Sequence, residues 1–218
     1  MQVKGIIFDM DGLIFDTEQL YYAGAQKAAD KFGIPYDKDL YLDLLGISDE
    51  EVIKRYHEMF DHKFGKTKVS DFIAASYENT KMMFASGQAV LKPGVMELLA
   101  YLQAAKIDWI IASSNQRKVI DELLFRADLS KHFPKIVSCE DVLRAKPDPA
   151  IFLAAQAILG TKKAETLVLE DSQNGVLAAF QANIPVIMIP DLLPPDEVLA
   201  AKTRAVLPSL HEVKNYLS

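Results

Sequence analysis

Two aspartates separated by one residue stand directly behind a short apolar run near the start of the chain. The run ends at Phe8, and Asp9-Met10-Asp11-Gly12 follows it. Carboxylates crowded at the end of a buried strand repel each other and lose hydration unless a cation or hydrogen-bond donors compensate them. The pair therefore indicates a metal site or a site for phosphate chemistry. The same sequence is also typical of an Asp-Gly turn between two apolar runs.

A second acidic pair stands at the end of a later apolar run. Glu170 and Asp171 follow residues 167–169, which predict another buried strand. Ligands of open parallel sheets bind outside the carboxyl ends of the strands, so both acidic pairs would lie in one small region. Since several carboxylates are held together there, the sequence predicts a divalent cation among them.

Two further polar segments fall at the ends of predicted strands or between elements. Ser113, Ser114 and Asn115 follow an apolar run, and Lys146 stands before Pro147. A hydroxyl and backbone amides at the start of a helix suit an anionic oxygen, but serine and asparagine also serve as ordinary helix caps. The lysine either neutralises an anionic ligand or is an exposed loop residue. The residue types alone do not decide between an anion site and a helix cap for the serines, or between a ligand-binding and a loop role for the lysine.

The elements that must position these side chains are strands alternating with helices. This alternation is typical of an α/β fold, a parallel sheet with helices on both faces. Residues 16–87 show helical periodicity only, which predicts an inserted helical domain (16–87) within a core domain (1–15 and 88–218). Six short apolar runs predict the strands: Ile6 to Phe8, Ile107 to Ala112, Ile136 to Val137, Thr166 to Leu169, Val186 to Ile189 and Ala205 to Leu207.

The amino-acid composition and the net charge limit the classes of protein to which this chain can belong. Half of the 218 residues are hydrophobic and a quarter are charged, so a large core is expected and disorder is not. The net charge of −6 argues against binding to nucleic acid or to an acidic membrane surface. One cysteine cannot form an internal disulfide. No leader or membrane-spanning run is apparent, and a cytoplasmic location is expected.

The four segments follow one another as an acid pair, a serine, a lysine and a second acid pair. This order resembles that of the motifs of the haloacid dehalogenase superfamily. The matching positions are Asp9 to Gly12, Ser113, Lys146 with Pro147, and Glu170-Asp171. The tracts 16–18, 91–94 and 169–172 resemble the phosphatase and β-phosphoglucomutase-like branch. The resemblance implies a Rossmann-like core domain and an α-helical cap domain formed by the insertion.

The resemblance also implies roles for individual residues. Asp9 would be the nucleophile that forms an aspartyl-phosphate intermediate, and Asp11 would be the general acid and then the general base. Ser113 and the amide of Ser114 would hold phosphoryl oxygens, and Lys146 would neutralise transition-state charge.

A magnesium ion and a substrate rim are implied in the same way. Mg²⁺ would be bound by Asp9, the backbone carbonyl of Asp11 and Asp171, with Glu170 bound directly or through water. Residues expected at the rim of the substrate site, besides Ser114, are Thr17, Glu18, Asn115 and Gln116.

The expected activity is hydrolysis of a small phosphorylated metabolite, a sugar phosphate, by a monomer. Mutases of this branch carry basic cap residues, whereas this chain has Leu45 and Asp49 at those places and Tyr21 in place of a histidine. Mutase activity is therefore the second candidate. A haloacid dehalogenase would need neither Asp11 nor the second acid pair, and a non-enzymatic phosphoacceptor would not need the helical insertion.

Overall fold

The chain folds into two compact units. The computed structural model describes residues 2–47 and 49–217. One unit, here called the sheet unit, combines Met1–Asp16 with Val90–Ser218, and the other, the helical unit, is Thr17–Ala89. Among the described residues, no helix is both long and apolar enough to cross a bilayer.

The sheet unit is built on a sheet of six parallel strands. All six predicted strands are present, with ends that differ by at most one residue, and the predicted α/β fold class is confirmed. The strands over residues 5–8, 166–170 and 186–188 are buried along their whole length, which explains why they appear in the sequence as largely apolar runs. The strands of this sheet are β1 (Gly5–Phe8), β4 (Asp108–Ala112), β5 (Ile136–Val137), β6 (Thr166–Glu170), β7 (Val186–Met188) and β8 (Ala205–Val206), in the spatial order β5-β4-β1-β6-β7-β8. Two further strands, β2 (Phe15–Asp16) and β3 (Val90–Leu91), form a separate pair.

Helices of the sheet unit cover the strands and close the core. Ile7 of β1 and Val168 of β6 share one apolar cluster with Phe152 of α7 and Val176 of α8. Burying such side chains contributes about 1.5 to 3 kcal/mol each. These helices are α5 (Val95–Ala105), α6 (Arg117–Arg126), α7 (Ala150–Leu159), α8 (Gln173–Gln181), α9 (Glu197–Ala200) and α10 (Leu210–Leu217).

The helical unit has a separate, aromatic core. Tyr56 packs edge-on against Phe72 with ring centroids 5.3 Å apart, and against Tyr36 at 6.2 Å. Its described residues contain helices and no strand, as the sequence predicts. The helices are α1 (Glu18–Phe32), α2 (Lys38–Asp43), α3 (Asp49–Phe64) and α4 (Lys66–Ala85).

A two-stranded antiparallel pair absent from the sequence prediction joins the segments on either side of the insertion. Phe15 pairs with Leu91 and Asp16 with Val90. Two residues are too few to show an alternating pattern, so the pair has no recognisable signal in the sequence. The pairing places Asp16 and Val90 in the sheet unit, whose limits therefore fall at 16/17 and 89/90 instead of the expected 15/16 and 87/88.

Candidate active site

Three neighbouring strands bring the first acid pair, the serine and the second acid pair to one edge of the sheet. Phe8 is in register with Ile111 of β4 and Leu169 of β6, so Asp9 lies level with the ends of both strands. The amide of Asp9 donates to the carbonyl of Leu169 at 3.0 Å. Because β1 lies between β4 and β6, Ser113 and Glu170 flank Asp9.

Lys146 is buried between two carboxylates. Its ammonium group donates to Asp9 Oδ1 and, at 2.7 Å, to Glu170 Oε1. The side chain is 6% exposed, against 9% for Asp9 and none for Glu170. The alternative of an exposed loop lysine is therefore wrong. A buried charge of this kind is stable only when it is paired and hydrogen-bonded.

Glu170 is fixed on both of its oxygens. Oε1 accepts from Lys146, while Oε2 accepts from the amide of Ser172 at 2.8 Å and from its hydroxyl at 2.9 Å. In α8, a Cβ added at Gly175 would collide with the Glu170 carboxylate. Glycine at this position leaves the room that the buried acid occupies.

The buried groups perturb each other's protonation. Burial raises the pKa of Asp9 to about 8; the Lys146 ammonium opposes the rise, and the charges of Glu170 and Asp11 add to it. Burial alone would lower the pKa of Lys146, but the carboxylates of Asp9 and Glu170 raise it above its ordinary value. Lys146 therefore remains an ammonium ion at neutral pH, and desolvation favours a proton on Asp9.

The acids also form a cluster that could hold a metal ion. Asp9, Glu170 and Asp171 each offer a carboxylate oxygen, and these oxygens lie within 4.8 Å of one another. An all-oxygen set suits a hard cation such as Mg²⁺ or Ca²⁺. The donor types and their spacing fit such an ion.

Asp11 lies in a tight loop and contacts Asn115. The amides of Gly12 and Ile14 donate to Phe15 and Met10 carbonyls, both at 2.9 Å, and close the loop around Asp11. The side-chain amide of Asn115 donates to Asp11 Oδ2 at 2.7 Å. Asn115, which the sequence placed at a substrate rim, is thus in direct contact with the expected acid and base.

Ser113 is not a helix cap. It is fully buried, its Oγ accepts from the amide of Asn115 at 3.1 Å, and α6 begins four residues later at Arg117. The capping alternative is therefore wrong for this residue. Ser114 and Gln116, two other candidates, have exposed side chains beside it.

Two of the predicted rim residues belong to the helical unit. Thr17 is fully buried, and its Oγ1 has no hydrogen-bond partner among the described residues. Glu18 accepts a hydrogen bond from the hydroxyl of Tyr41. A role for either residue in substrate binding stays a prediction.

Asp191 is a buried acid near the site that sequence reasoning missed. It pairs with Lys92 and stands three residues beyond the end of β7. Like the acid pairs it follows a buried apolar run, but Pro190 intervenes and separates it from the strand end. The rule that strand-end acids gather at one edge could have identified it.

Comparisons with known proteins identify relatives along most of the chain. The sequence model of the family described as haloacid dehalogenase-like hydrolase matches residues 6–189. The phosphorylated carbohydrates phosphatase of Thermotoga maritima is 33% identical over 84% of this chain and 82% of its own. Beta-phosphoglucomutase of Bacillus subtilis is 28% identical over 96% of this chain and 95% of its own. The crystal structure of CbbY from Rhodobacter sphaeroides in complex with phosphate covers 97% of this chain and 96% of its own, with a TM-score of 0.82 and 25% identity.

Gly175→Ala should destabilise the protein by about 1 to 3 kcal/mol, because the added Cβ overpacks the space filled by Glu170. In a Glu170→Ala background the same change should be neutral or stabilising by up to about 1 kcal/mol, since alanine favours a helix interior over glycine. Urea unfolding of the four proteins measures both differences. Equal destabilisation in the two backgrounds would mean that the collision is not with Glu170.

Asp9→Asn should stabilise the metal-free protein by an amount that grows as pH rises from 5 to 8. With a folded pKa of about 8 and an unfolded value near 3.8, Asp9 takes up a proton on folding throughout this range, so its contribution to stability falls as pH rises. Melting temperatures in EDTA report the difference between variant and parent at each pH. Asp108→Asn, the same change at an exposed carboxylate where β4 begins, is the matched control variant. A pH-independent effect of Asp9→Asn would contradict the raised pKa.

Proposed function

Because this chain belongs to the haloacid dehalogenase-like hydrolases, we propose that it hydrolyses the phosphoric monoester of a small metabolite, a sugar phosphate, through an aspartyl-phosphate intermediate. The observation that carries the proposal is the contact of Asp9 with Lys146, with Asp11 held two residues away. A nucleophile, a fixed positive charge and an acid for the leaving oxygen are the groups that this reaction needs. The name of the Thermotoga maritima relative supports the substrate class.

In the first step, a carboxylate oxygen of Asp9 forms a bond to phosphorus as the ester P–O bond breaks. The leaving oxygen takes a proton from Asp11 and departs as an alcohol. Asp9 then carries the phosphoryl group as a mixed anhydride, which is more easily hydrolysed than the original ester.

In the second step, Asp11 acts in the opposite sense. A water molecule attacks phosphorus, Asp11 accepts a proton from it, and the bond to Asp9 breaks. Inorganic phosphate leaves, Asp9 is again a carboxylate and Asp11 is again protonated, so the site returns to its starting state. One residue can serve both steps because the leaving oxygen and the attacking water occupy the same side of phosphorus.

Lys146 and Ser113 supply electrostatic stabilisation. The ammonium group is buried and already oriented by Asp9 and Glu170, so little reorganisation is needed when negative charge spreads over the phosphoryl oxygens. Ser113 is held by its neighbours at the end of β4 and would donate its hydroxyl proton to one of those oxygens.

The acidic cluster supports a magnesium requirement. Asp9, Asp171 and the backbone carbonyl of Asp11 would hold Mg²⁺, which when bound would shield the incoming phosphate and favour the ionised form of Asp9. Glu170 has a hydrogen-bond donor on each oxygen at 2.7 to 2.9 Å. These contacts favour an indirect role in which Glu170 would bind the ion through a water molecule.

Phosphosugar mutase activity is the second candidate, and the Bacillus subtilis relative favours it. Against it, this chain has Leu45 and Asp49 at the positions where mutases of the branch that it resembles carry basic residues, and an acidic Asp49 would repel a second phosphate. Phosphate release from a panel of sugar phosphates, compared with interconversion of glucose 1-phosphate and 6-phosphate with a bisphosphate primer, separates the two activities. Interconversion faster than phosphate release would reverse their order.

Asp9→Asn should reduce phosphate release by at least about 10³-fold, because an amide oxygen is a poor nucleophile. The measurement is release of inorganic phosphate from the best substrate of the panel, with Mg²⁺ and with EDTA. Asp108→Asn should retain the parent rate, because its carboxylate is exposed and pairs with Lys135. Substantial turnover by Asp9→Asn would show that another residue is the nucleophile.

Asn115→Ala should lower kcat by about 10- to 100-fold with a smaller change in KM, because a hydrogen bond to a carboxylate contributes about 1.5 to 3 kcal/mol. The loss should be greater for a substrate with a poor leaving group, such as an alkyl phosphate, than for an aryl phosphate that needs little protonation. Lys118→Ala, on the exposed side of α6, is the control. Equal losses for both substrates would contradict a role through Asp11.

A further inference from the structure

The side chain of Asp191 is buried and only half compensated. It is 7% exposed, and Oδ1 accepts from the ammonium group of Lys92. Oδ2 has no hydrogen-bond partner among the described residues. A carboxylate oxygen buried without a donor is costly, so its retention beside a reactive site requires an explanation.

Oδ2 faces the metal cluster. A Cβ added at Gly12 would lie 3.4 Å from Asp191 Oδ2 and would collide with Asp171 Oδ2. The two oxygens therefore border the same space beside Gly12, whose positive φ of 74° also favours glycine. Asp191 is brought there by β7, because the amide of Ile189 donates to the carbonyl of Glu170 at 2.7 Å.

Lys92 is anchored to the other side of that space. Its backbone amide donates to the carbonyl of Ile14 at 2.9 Å, within the loop that carries Asp11 and Gly12. The Lys92 ammonium thus fixes one oxygen of Asp191 and leaves the other turned toward Asp171. Two carboxylates that border one space repel each other unless a cation or a donor lies between them.

We propose that Asp191 is a positioning residue of the metal centre, whose Oδ2 accepts a hydrogen bond from a water molecule of the ion held by Asp171. Magnesium keeps several of its waters in protein sites, and the groups that bind those waters contribute to affinity. The inference rests on the metal site of the proposed function and adds a residue to it.

Binding of Mg²⁺ to the metal-free protein, measured by calorimetry without substrate, tests the assignment. Asp191→Asn should weaken Mg²⁺ binding about 10- to 100-fold, the usual effect of losing an outer-shell partner. Lys92→Met breaks the same ion pair but removes a positive charge near the ion, so Mg²⁺ binding should be unchanged or tighter. The two variants lose the same ion pair and are predicted to differ in the direction of their effect on affinity.

Two outcomes would overturn the proposal. If Asp191→Asn binds Mg²⁺ like the parent, the residue does not act on the ion. If Lys92→Met weakens Mg²⁺ binding relative to the parent, the ion pair acts by holding the loop and β7 together, and the role assigned to Asp191 is wrong. The second outcome can be observed with Lys92→Met alone, so the test survives if Asp191→Asn does not fold.

Asp171→Asn separates this proposal from the one on which it rests. Loss of Mg²⁺ binding in Asp171→Asn together with parental binding in Asp191→Asn would refute the role of Asp191 alone. Parental binding in Asp171→Asn, or no binding by the parent, would refute the metal site itself and the inference with it.

Discussion

The structure depends on one buried ammonium group placed between two carboxylates. Lys146 has almost no exposure and contacts both Asp9 and Glu170, so its positive charge stabilises the two carboxylates and they stabilise it. Two carboxylates and one ammonium leave an excess of negative charge, and burial raises the pKa of Asp9 in response. The nucleophile role proposed for Asp9 requires an ionised carboxylate at neutral pH. A cation held by Asp9, Glu170 and Asp171 would supply the positive charge that Lys146 alone does not provide.

The fold meets this constraint with few elements. Three adjacent strands fix the main chain at Asp9, Ser113 and Glu170, because their register is set by hydrogen bonds along buried edges. Ser172, which caps the N-terminus of α8, binds Glu170, and Gly175 within that helix leaves room for it. Side chains held by such contacts lose little conformational freedom when a ligand binds. Less binding energy is then needed to order them, and more of it can lower the activation barrier.

The sequence predicted what depends on local pattern and on strand order. β-Branched runs identified the six strands of the sheet, and the rule that parallel strands end at one edge placed Asp9 near Glu170. The contact between Asn115 and Asp11 joins residues 104 positions apart and depends on how a loop turns, which no local pattern encodes. The burial of Lys146 was equally hidden, because a lysine before a proline is usually a loop residue.

The two aspartates of the first pair have different surroundings, and this difference can divide their roles. Asp9 touches an ammonium group, which opposes protonation once the charge of the site is balanced. Asp11 accepts a hydrogen bond from the neutral side-chain amide of Asn115, which holds the carboxyl group in place. A nucleophile must stay ionised while an acid and base must change state in every cycle, and two chemically identical side chains can do both only if their neighbours differ.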